Sequence, residues 1–262
     1  MNYFDDENNI IEHFQEVECS SVFIPIESEE TIYSFENVHD KSKWKKWTNS
    51  SGKSDPPPDF YCDEFRCMMD VMRVDDHSFE YRKGKFVNPT NSRESEIQAE
   101  LRKNEMEAIF PNAKTIVNAI TKLPTQEDHN YTFYRNNFVR TVEQHKTKIK
   151  QYRNNHQDYK LIFFVIDESS GYIQTSDEPA LKSNTSSGKS MIGTPHLHFR
   201  DEDFITSLIG ADIDYLIWFT PNKMISTENN LLDLPKVCIF DIKTMNIETI
   251  KYDENLMVSS EE

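Results

Sequence analysis

The order of apolar and polar positions divides the chain into elements. Phe4, Ile10, Ile11, Phe14 and Val17 recur at helical spacing and predict a first helix over 3–17. Val22 to Ile26 is a short apolar run that predicts a strand, and the Ser-, Asn- and Pro-rich stretch 48–58 predicts a loop. Phe60-Tyr61 and Arg66 to Val74 predict two adjacent strands with Asp63-Glu64 turning between them, and Lys83-Gly84-Lys85 predicts another turn. Ile97, Leu101 and Ile109 anchor a helix over 93–109, and a second runs past Pro111 to Ile120. Phe138, Val142, His145, Ile149 and Tyr152 follow at steps of four and three, one apolar stripe on a helix over 135–152. Leu161 to Ile166 and Tyr215 to Phe219 are unbroken apolar runs, the pattern of strands buried on both faces. Residues 176–194 predict a long loop. Asp201, Glu202 and Asp203 sit at the favourable end of a short helix reaching Leu208. Val237 to Phe240 and Ile247 to Tyr252 predict a closing hairpin. The alternation predicts an α/β fold, a mixed central sheet flanked by helices in one domain over 1–262.

Charge changes this picture. The 262 residues carry a net charge of −16, which argues against nucleic acid if spread evenly. It is not spread evenly. Residues 1–40 hold 11 acids and no Lys or Arg; 41–160 hold 22 basic and 17 acidic residues; 161–262 hold 7 basic and 17 acidic. The basic middle concentrates in two places. Lys43, Trp44, Lys45 and Lys46 mix cations with an aromatic ring, a combination suited to phosphates and stacked bases. The second place is the predicted helix carrying Arg140, Lys146 and Lys150.

Other classes lose support. The longest apolar run is six residues, far short of the roughly 20 a membrane helix needs, so no membrane association is expected. The start Met1 to Glu7 has neither a basic nor an apolar region, and the four cysteines form no disulfide framework, so a cytoplasmic location is expected. Gly52-Lys53-Ser54 and Gly188-Lys189-Ser190 resemble the end of a phosphate-binding loop. The glycine required five residues earlier is Trp47 in one copy and Ser183 in the other, so nucleotide binding is not expected.

The most specific arrangement is Pro58-Asp59, then ten residues, then Asp70-Val71-Met72. Two carboxylates on neighbouring strands can converge on Mg²⁺, leaving room for water and phosphate oxygens. Asp70 lies inside an otherwise apolar run, where a charge needs a partner or a metal. These residues resemble the PD-(D/E)XK nuclease superfamily, and the resemblance covers roughly residues 1–170. It implies a restriction-endonuclease-like core with a C-terminal strand extension. It also implies metal-dependent cleavage of nucleic acid, with Asp59 and Asp70 as metal ligands and catalytic residues. The lysine of the motif is replaced by Met72, so Lys83 or Lys85 is the candidate substitute. Glu12 or Glu16 of the first helix is a candidate further acid.

Two other readings stay open. Asp75-Asp76-His77, Asp167-Glu168 and His196-Leu197-His198 could hold a transition metal or serve a hydrolase if they converge at the carboxyl ends of strands. The acidic stretches 1–40 and 201–214 could instead bind a basic protein partner, as an immunity protein or inhibitor does. Oligomeric state, and DNA against RNA, are not legible.

Overall fold

A computed structural model describes residues 7–50, 58–77, 79–82, 85–87, 93, 96–97, 99–100, 129–175, 193–221, 223, 225–226, 231–232 and 234–260. In chain order the elements are helix α1 (Glu7–Phe14), strand β1 (Val22–Phe23), helices α2 (Glu29–His39) and α3 (Lys41–Trp44), and strands β2 (Thr48–Asn49), β3 (Phe60–Cys62), β4 (Cys67–Val74), β5 (Phe79–Arg82) and β6 (Lys85–Val87). Then come helices α4 (Tyr131–Lys146) and α5 (Ile149–Asn155), strands β7 (Lys160–Asp167), β8 (Tyr172–Thr175) and β9 (Gly193–Pro195), and helix α6 (Glu202–Leu208). Strands β10 (Tyr215–Phe219), β11 (Ile225–Ser226), β12 (Leu231–Leu232), β13 (Val237–Asp241) and β14 (Met257–Ser259) complete the fold.

Seven strands form one mixed sheet in the order β1-β13-β10-β7-β4-β3-β2. β4, β7 and β10 run parallel at its centre, while β2, β3 and β4 form an antiparallel meander. β7 and β10 are the buried apolar runs the sequence predicts, since helices cover both faces. On one face Met68, Met72, Phe163 and Trp218 pack with Phe138, Val142, Ile149 and Tyr152 of α4 and α5 and with Phe204 of α6. On the other, Met69, Phe164 and Ile217 pack with Ile10, Ile11 and Phe14 of α1 and with Phe35 and Val38 of α2. The C-terminal part of the chain supplies β10 and β13 to this same sheet. A smaller antiparallel sheet, β14-β8-β9, sits beside it.

Three expectations are corrected. The stripe over 135–152 is real, but the helix breaks at Thr147–Lys148 into α4 and α5. β13 pairs with β10 and β1 rather than with residues 247–252, which contribute one parallel bridge, Ile250 to Asp201. His196 and His198 do not share a strand face: β9 ends at Pro195, and His198 begins a short 3-10 turn. The helices expected over 93–120 lie largely outside the described residues, as does most of the loop expected over 176–194. Both Gly-Lys-Ser triplets also lie there. Among the described residues no helix is long and apolar enough to cross a membrane.

Candidate functional site

The β3–β4 hairpin sets the position of the two acids. Its ladder pairs Cys62 with Cys67, Tyr61 with Met68 and Phe60 with Met69, so the next step places Asp59 opposite Asp70, on one face of the sheet. β3 stops at Phe60 because the Asp59 side chain takes over the ladder: its Oδ2 accepts the Val71 N–H at 2.7 Å. Ser50 holds the backbone of this corner, its N–H donating to the Asp59 carbonyl at 2.8 Å and its hydroxyl to the Pro58 carbonyl.

The two carboxyl groups hydrogen-bond each other. Burial, then the adjacent Asp70 charge, push the Asp59 carboxyl up to about 8 against the lowering pull of the Val71 N–H. Asp70 is 2% exposed. His145 Nδ1 lies 2.5 Å from its Oδ2, and burial, then the nearby Asp70, raise the Tyr152 hydroxyl above its usual range. The apolar stripe of α4 and α5 therefore carries two polar groups near one buried carboxyl.

The acid of the first helix that acts on Asp59 is Glu7. Glu7 continues the buried line of Ile10, Ile11 and Phe14 by one turn, whereas Glu12 and Glu16 are exposed. Lys83 lies outside the described residues, and only the backbone of Lys85 is described, in β6.

The expected nucleic-acid residues are placed differently from one another. Trp44 is half-buried, its ring packed on Trp47 at 5.4 Å and on Phe60 at 4.9 Å, so the aromatic half of that motif faces the core. Lys43 pairs with Glu36 at 2.8 Å and Lys46 with Glu64 at 2.6 Å, while Lys45 is exposed. On α4, Arg140 donates to Asn137 Oδ1 at 2.7 Å. Lys146 bonds Glu143 at 2.6 Å and the Ser207 carbonyl at 3.1 Å; Lys150 is exposed.

A second polar region gathers where the parallel strands β4, β7 and β10 end. Asp167 is fully buried. Its Oδ2 accepts from the Tyr134 hydroxyl at 2.5 Å, Lys223 Nζ at 2.9 Å and Trp218 Nε1 at 3.0 Å, and its Oδ1 from Ser169 Oγ at 2.6 Å. Lys223 also reaches Ser169 Oγ at 2.8 Å. Glu168 points away to Arg73, and His196 bonds Asp201 at 2.7 Å. His198 lies beside Trp218, with 4.8 Å between ring centroids. Asp167, Glu168 and His196 thus each have a hydrogen-bonding or ion-pair partner, whereas His198 Nδ1 is buried with none among the described residues. Burial holds both imidazoles below their usual range and neutral.

Asp76 is 0% exposed. Its Oδ2 accepts from Ser170 N at 2.9 Å, Ser170 Oγ at 2.5 Å and Tyr172 Oη at 2.6 Å. Its Oδ1 faces His129 Nδ1 at 3.2 Å and His77 Nε2 at 3.6 Å. Burial alone would raise this carboxyl, but the His129 hydrogen bond and the charges of both imidazoles bring it down to about 2. Sequence reasoning singled out Asp76 and His77 but missed His129, which stands alone in the chain just before Asn130, the residue capping α4. Lys223 was missed as well, since nothing around it in sequence marks a buried cation.

The chain matches no protein-family model, no curated protein and no solved structure.

Proposed function

We propose that the Asp59–Asp70 pair binds a divalent cation and that the chain is a metal-dependent phosphodiesterase acting on nucleic acid. The observation that carries this reading is the direct contact of the two carboxyl groups on one sheet face. Two like charges this close are costly, and a proton or a cation between them relieves the cost. The donor set therefore suits Mg²⁺, with Asp59 and Asp70 as ligands and Glu7 within electrostatic reach. A cation there supplies Lewis-acid polarisation of a phosphate oxygen and a lower pKa for water. The chain's own groups do the rest. His145 Nδ1 orients Asp70, and the Val71 N–H orients Asp59. A nuclease-like core would use the strand near 22–26 as the first of its three strands, whereas here that strand, β1, lies at the far edge beside β13 and β2 completes the meander with β3 and β4, to which β7 runs parallel.

The test is cleavage of plasmid, single-stranded DNA and RNA with Mg²⁺ or Mn²⁺. Cleavage should vanish with chelator and fall at least about a hundredfold in Asp59→Asn and Asp70→Asn. Activity surviving Asp70→Ala overturns the assignment.

A second reading, a surface for a basic protein, is favoured by one observation. Glu12, Glu16, Glu18, Glu27, Glu29 and Glu30 are exposed alongside Phe23, Ile26, Ile32 and Tyr33. Capture of a basic partner that is insensitive to Asp70→Asn and weakens with salt would favour it.

A further inference from the structure

We propose that Asp76, His77 and His129 form a binding site for a first-row divalent transition ion of the Zn²⁺ kind. This site is separate from the Asp59–Asp70 pair and does not depend on the reading given to that pair.

One ligand atom from each residue lies within 4.8 Å of the other two. The separations from Asp76 Oδ1, 3.2 Å to His129 Nδ1 and 3.6 Å to His77 Nε2, are close to the spacing of ligands around a small tetrahedral ion. With bonds of about 2.0–2.1 Å, that spacing is about 3.3 Å. Small side-chain shifts suffice to close on an ion.

The supporting shell is built. Asp76 Oδ2 is fully engaged by Ser170 and Tyr172, which leaves Oδ1 as the donor facing the imidazoles. His77 is held by its N–H to Asp75 Oδ1 at 3.2 Å, and Asn137 of α4 donates to the same Oδ1 at 3.1 Å. His129 is held through the next residue, whose N–H meets the Asp76 carbonyl at 3.5 Å. The carboxylate is sealed, while the imidazoles keep 17% and 18% exposure. Among the described residues these three side chains supply one carboxylate and two imidazole donors, a set that suits a small tetrahedral ion. Two nitrogen donors favour a transition ion over Mg²⁺. The site stands just past the carboxyl ends of β4 and β7, where ligands collect in sheets of this kind.

The metal-free chain is titrated with Co²⁺, followed by its visible absorption, and with Zn²⁺ by calorimetry. Saturable binding should be weakened at least about tenfold by His77→Ala and by His129→Ala. The titration is run in excess Mg²⁺, which competes for the Asp59–Asp70 pair and should not displace the ion held by the two imidazoles. Circular dichroism confirms that each variant is folded. Where an alanine variant is not, His77→Asn and His129→Gln take its place. Absence of saturable Co²⁺ or Zn²⁺ binding, or equal affinity in folded His77 and His129 variants, overturns the proposal.

Discussion

Asp59 keeps its proton at neutral pH, because burial and the Asp70 charge raise its carboxyl to about 8 from 3.8. The folded state then binds that proton more tightly than the unfolded chain. Its contribution to stability is complete below about pH 4 and is lost as pH climbs toward about 8. Asp59→Asn should flatten this decline between pH 5 and 9, measured by urea unfolding in chelator. Mg²⁺ affinity should rise over the same range, since the ion displaces the proton. Asp76 behaves oppositely: with its carboxyl lowered to about 2, its contribution holds at neutral pH and is lost as pH falls from about 4 toward 2. At this scale Asp59 and Asp70 were legible, since a Pro-Asp corner and an acid inside an apolar run are local anomalies. His129 was not, because its partner Asp76 is 53 residues away. Glu7 was passed over for Glu12 and Glu16, although the line from Glu7 to Ile10, Ile11 and Phe14 is itself a helical face.

Helix α4 joins the two candidate sites, with His145 near its end and His129 just before its start. Its first turn depends on Asn130, whose side chain accepts from Thr132 N at 2.9 Å and Phe133 N at 3.3 Å. Asn130→Ala should cost about 1 kcal/mol in urea unfolding. It should also weaken Co²⁺ binding, since the cap and the His129 backbone are adjacent. The apolar stripe of α4 and α5 was legible because a 3.6-residue period survives in sequence. The break at Thr147–Lys148 was not, because the stripe continues across it with Ile149 and Tyr152 still buried. β7 and β10 were legible as buried strands, whereas the partner of β13 was not. Local pattern says that Val237 to Phe240 is a strand, but its neighbours β1 and β10 are chosen by long-range packing.

Across the whole molecule the charge blocks of the sequence neutralise one another. Arg135 of the basic middle meets Glu254, Arg153 meets Asp212 and Asp214, and Arg73 meets Glu168. Buried Asp214 also takes Lys160 and Lys243. In the candidate basic segments, Lys41, Lys45, Lys148 and Lys150 stay exposed. Replacing these four lysines with alanine should make the log–log salt dependence of duplex DNA binding shallower by up to about 4, checked by fluorescence anisotropy from 50 to 200 mM salt. The contact of Asp76 with His129 also has a topological meaning. His77 and His129 are far apart in sequence, yet their rings meet with 4.6 Å between centroids. Closure cost grows only with the logarithm of length, about 0.6 kcal/mol for each doubling. The contact of Asp76 with both imidazoles therefore holds together two points distant in sequence at a cost that depends little on how distant they are.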